Sequence, residues 1–87
     1  MDHPTAAAEV VQRAAGVIAA RHRGDLDGAE ALLASFPSEQ ARTLGFYLLA
    51  DLALGFLRVQ TGQSTEDLVQ ELSLHVATAA NQPPTPG

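Results

Sequence analysis

The chain is expected to be all-α: a compact bundle of about four helices with an apolar third helix at its centre. Three observations predict this. Apolar residues recur at spacings of three and four along four separate stretches. Gly, Pro, Ser or Asp punctuates the ends of those stretches. The third stretch, Thr43 to Val59 (TLGFYLLADLALGFLRV), is apolar nearly all the way round, with Asp51 its only charge between Leu44 and Leu57. A helix that is apolar on every side has to be covered on every side.

The first helix is expected from about Thr5 to Arg21, with Val10, Val11, Ala14, Val17 and Ile18 forming one stripe. Glu9 and Arg13 are spaced for an i,i+4 pair on its solvent side. Arg21, His22 and Arg23 suit the negative end of the helix dipole, and Gly24 follows them as a stop. Either Asp25 or Asp27 can cap the second helix. Leu26, Ala29, Leu32, Leu33 and Phe36 share one side of it, and Pro37 ends it.

Ser38 is the cap for a third helix reaching about Gln60, with Glu39 in its first turn. One face of this helix (Ala41, Leu44, Gly45, Leu48, Leu52, Gly55, Phe56 and Val59) is expected to meet the other helices. A second face, Phe46, Tyr47, Ala50, Leu54 and Leu57, covers much of the remainder. Gly45 and Gly55 each cost about 1 kcal/mol relative to alanine inside a helix, a cost that close approach by a crossing helix offsets. Ser64-Thr65-Glu66-Asp67 opens the fourth helix, whose stripe is Leu68, Val69, Leu72, Val76 and Ala79. Residues 81–87 hold three prolines and no core-forming residue, and are expected to be a disordered tail behind a single helical domain at 1–80.

At 87 residues there is room for one small domain, and much of its 46% hydrophobic content is alanine, which buries little area. The large apolar side chains lie mainly between Leu26 and Leu74. A core this small gains from oligomerisation. The absence of cysteine removes disulfides, thiolate metal sites and a cysteine nucleophile. A net charge of −5 argues against direct nucleic-acid binding, which needs clustered cations. All five basic residues are arginine, the bias expected of a GC-rich bacterial or phage gene.

The N-terminus lacks the basic region and apolar run of a signal peptide. The apolar run Leu44 to Leu57 falls short of the roughly 20 residues of a membrane span and has Asp51 inside it. A cytoplasmic protein without membrane contact is expected.

Candidate chemistry is thin. The i±3 and i±4 neighbours of Asp51 are Tyr47, Leu48, Leu54 and Gly55, so a partner for a buried Asp51 must come from elsewhere; an edge carboxylate reaching water is the simpler reading. His75 borders the stripe of the fourth helix as a structural histidine or a polar partner, and neither His3 nor His22 has ligand-like spacing to it. No metal site or cofactor is expected. Asp25-Leu26-Asp27-Gly28 opens like a calcium loop, but the residues that follow supply no ligands. No serine lies in a nucleophile elbow, and no glycine-rich phosphate cradle occurs.

Length and acidity match the acyl carrier proteins, but the Asp-Ser-Leu attachment motif of that family is absent. Arg23 to Ala29, followed by Leu32 and Leu33, resembles the turn and second helix of one tetratricopeptide unit. It occurs once, and an array needs stacked repeats. The expectation is therefore a non-catalytic interaction module: a small adaptor or regulator, compatible with a phage or mobile-element origin. It would act as a homodimer through Phe46, Tyr47, Ala50, Asp51, Leu54 and Leu57, with a basic second protein as a further partner. The alternative is a helical protein that binds a small apolar ligand, with Asp51 or His75 orienting it. A DNA-binding repressor would need a basic recognition helix, and neither the second nor the fourth helix contains arginine.

Overall fold

Helix propensity and capping produce four helices in the computed structural model, which describes residues 4–81. They are α1 (Pro4–His22), α2 (Leu26–Ala34), α3 (Glu39–Thr61) and α4 (Thr65–Asn81), and no strand occurs among the described residues. The all-α class read from the sequence is what the chain adopts. The expected tail lies outside the described residues except for Asn81, which closes α4.

Each boundary has a local cause. Asp25 N–H bonds to Ala20 O at 2.9 Å and Gly24 N–H to Arg21 O at 3.0 Å, the paired closure of a Schellman turn. Gly24 takes the left-handed conformation that this turn requires, with φ +84°. Of the two aspartates, Asp25 is the cap: its Oδ1 accepts from Gly28 N–H at 2.9 Å, while Asp27 lies in the first turn. Asp25 thus ends one helix and begins the next. Ser38 Oγ accepts from Ala41 N–H at 3.0 Å, and Ser64 Oγ from Asp67 N–H at 3.1 Å, so both serines cap as their positions predict. Gly62, at φ +74°, makes the stop between α3 and α4.

The chain divides into two units, Met1–Leu52 and Ala53–Gly87, and α3 runs through the division. The first unit has a recognisable interior. Val10, Ala14, Val17 and Ala20 recur at helical spacing on α1, and with Ala29 of α2 and Phe36 they form the buried cluster. Leu32, Leu33, Ala41, Phe46 and Leu49 pack around it. Alanine therefore supplies half of the six buried residues, contrary to the small part its area suggested; side chains this short let α1 and α2 lie close together. Phe36 joins the core from outside α2, which stops at Ala34, and its ring lies 6.1 Å from that of Phe46. Ile18, expected in the stripe of α1, is exposed.

Gly45 marks the closest approach. A Cβ placed there would fall 2.5 Å from the carbonyl oxygen of Val10 and 3.2 Å from the Phe36 ring. Arg13 does not form the expected pair with Glu9. Its guanidinium donates to Ser35 O at 3.3 Å, beyond the carbonyl end of α2, where a cation is favoured. The ion pair among the described residues is Arg23–Asp25 at 3.7 Å, and it is exposed.

In the second unit Leu68 is the one buried large apolar side chain among the described residues. Gln63 Nε2 donates to Glu71 Oε1 at 2.9 Å, tying the turn to α4. Thr61 Oγ1 donates back to Leu57 O at 2.7 Å and accepts from Gln63 N–H at 3.2 Å.

Candidate interaction surface

The α3 face expected to meet the other helices is divided. Ala41 and Gly45 of that face turn to the interior of the first unit, Leu48 is half-buried, and Leu49, which the expected face did not include, packs on the same interior. Leu44, Leu52, Phe56 and Val59 are exposed, with Phe56 at 65% and Val59 at 85%. Gly45, Leu52, Phe56 and Val59 lie within one helical stripe, so a single stripe is covered at its start and bare at its end. The cause is local: the cover supplied by Val10 and Phe36 reaches Gly45, whereas nothing comes within 4 Å of a Cβ built at Gly55. The expectation of a close crossing holds for Gly45 and fails for Gly55.

The residues expected to form a partner-binding face also separate. Phe46 is taken up by the core of the first unit. Tyr47, Ala50, Asp51 and Leu57 are exposed, and Leu54 is half-buried. Asp51 stands at the surface, which removes any need for a buried cationic partner. His75 is exposed on α4.

Signal that sequence reasoning missed lies on α4. Of its apolar stripe only Leu68 is buried; Val69, Leu72 and Val76 are exposed, Val76 at 69%. Val69, Leu72, Ser73 and Val76 line an open groove of about 330 Å³. Two further open grooves occur, one of about 480 Å³ along Glu39, Gln40, Thr43, Leu44 and Tyr47, and one of about 280 Å³ beside Gly55, Arg58 and Gly62. No group of three or more His, Asp or Glu among the described residues is placed to hold a metal ion.

The length argument against a membrane span also changes. The apolar run is short, but α3 as a whole has 23 residues, and by length and composition it is sufficient to cross a bilayer. Almost none of that apolar segment is buried within the chain, and Asp51 lies near its middle.

Comparison of the chain with protein-family models, curated proteins and solved structures returns no match.

Proposed function

We propose that the chain is a non-catalytic protein-interaction module, a small cytoplasmic adaptor or regulator that works as a homodimer. One observation carries the reading: among the described residues, more large apolar side chains are exposed than buried. In the second unit Leu68 is buried, whereas Phe56, Leu57, Val59, Val69, Leu72, Leu74 and Val76 are exposed. Soluble monomers rarely leave so many large apolar side chains uncovered. Phe46 drops out of the face read from the sequence, while Tyr47, Ala50 and Leu57 remain exposed on α3 and Leu54 is half-buried. The net charge of −5 suits a basic protein as a further partner.

The test is absolute mass by light scattering or sedimentation, from high micromolar to sub-micromolar protein. A dimer that persists on dilution is expected. A monomer throughout, unfolding with a midpoint independent of concentration, would overturn the reading. The ligand-binding alternative has less support, because the grooves described above are open, whereas small-molecule sites enclose most of their ligand.

A second reading rests on α3 itself, which is long and apolar enough to enter a bilayer. Flotation with neutral lipid vesicles separates the two. The homodimer stays with the soluble fraction, and a membrane-inserted α3 carries the chain upward.

A further inference from the structure

We infer that the chain opens in two stages: residues 53–81 melt by themselves while residues 4–52 stay folded. Apolar burial raises the free energy needed to open a segment, and here it is divided unequally. In the first unit Val10, Ala14, Val17, Ala20, Ala29 and Phe36 are buried together, and Ala41, Phe46 and Leu49 bring the start of α3 onto them. Removing any one of these helices would uncover the others. In the second unit Leu68 alone is buried among the described large apolar residues.

The bonds that shape the second unit are local and lie at the surface. Thr61 closes the end of α3, Gln63 reaches Glu71, and Ser64 caps α4, all in exposed positions close together in the chain. Such bonds compete with water and contribute little net stability. Isolated helices of up to about 15 residues are marginal in water even when rich in alanine. At 17 residues α4 is little longer, and Thr65, Val69, Val76 and Thr78 are β-branched, which lowers its helix propensity.

The boundary falls within α3. Leu49 is its last residue packed on the first interior, and the division between the units follows Leu52. Gly55 comes next as a weak helix former, with nothing within 4 Å of a Cβ built on it. The helix can fray back to about Gly55 and keep residues 39–52 in place. The result is a chain whose second half orders and melts without disturbing its first core, a property that goes beyond the homodimer reading and does not depend on it.

Amide hydrogen exchange on the full chain tests this, read by mass spectrometry of peptic fragments from high micromolar to sub-micromolar protein. At the lowest concentration, residues 56–81 are expected to be at least about tenfold less protected than residues 10–49. Equal protection in the two sets would overturn the inference. Protection of residues 56–81 that rises with concentration supports two-stage opening and the homodimer together. Low protection at every concentration ends a dimer built on this unit and leaves two-stage opening standing. Leu68→Ala gives a second readout: α4 loses further protection, while residues 10–49 keep theirs. A parallel fall in both sets would mean one cooperative unit and end the proposal.

Discussion

The two units are made of the same kind of helix and treat their apolar residues in opposite ways. In Met1–Leu52, short side chains on α1 and α2 close a continuous interior, and Phe36 and Phe46 fill its edge. In Ala53–Gly87, helices that carry leucine, valine and phenylalanine leave a single large residue buried among those described. The difference teaches that burial follows geometry more closely than hydrophobicity. Alanine at the right spacing brings two backbones together, whereas leucine and valine without an opposing surface stay in water.

Three experiments would break or sharpen this contrast. The largest effect is expected from Phe36→Ala, which empties the edge of the first core and should cost about 3 kcal/mol, read by chemical denaturation. A loss below about 1 kcal/mol would mean that the interior of the first unit contributes little.

A glycine pair comes next. Gly45→Ala forces a methyl group against the Val10 carbonyl and should cost about 2 kcal/mol through overpacking. Gly55→Ala meets open space and should gain about 1 kcal/mol from helix propensity. If Gly55→Ala instead weakens a dimer, the bare half of α3 is a close crossing between copies. The smallest effect compares caps: Asp25→Ala and Ser64→Ala should each cost about 1 kcal/mol. Thermal melts check this, with a fall of a few degrees in the midpoint expected for each.

The caps also show what was legible in the sequence. Ser38 and Ser64 announce their helices through chemistry contained within four residues, and Gly24 announces its turn in the same way. Faces were less legible. Around α3 almost every direction is apolar, so periodicity could not decide that Phe46 and Leu49 turn inward while Leu52 and Phe56 do not. Gly45 and Gly55 look alike in sequence and differ only in what crosses them. The bare stripe of α4 was hidden for the same reason, since a stripe spaced for burial carries no mark of whether its cover lies in the same chain.

The buried cluster of the first unit and the residues packed on it extend only from Val10 to Leu49. During synthesis this interior leaves the ribosome before α4 does. Translation proceeds at about 5–20 residues per second, whereas small helical folds with local contacts form in microseconds to milliseconds. The apolar stripes of the second unit therefore emerge already attached to a folded neighbour.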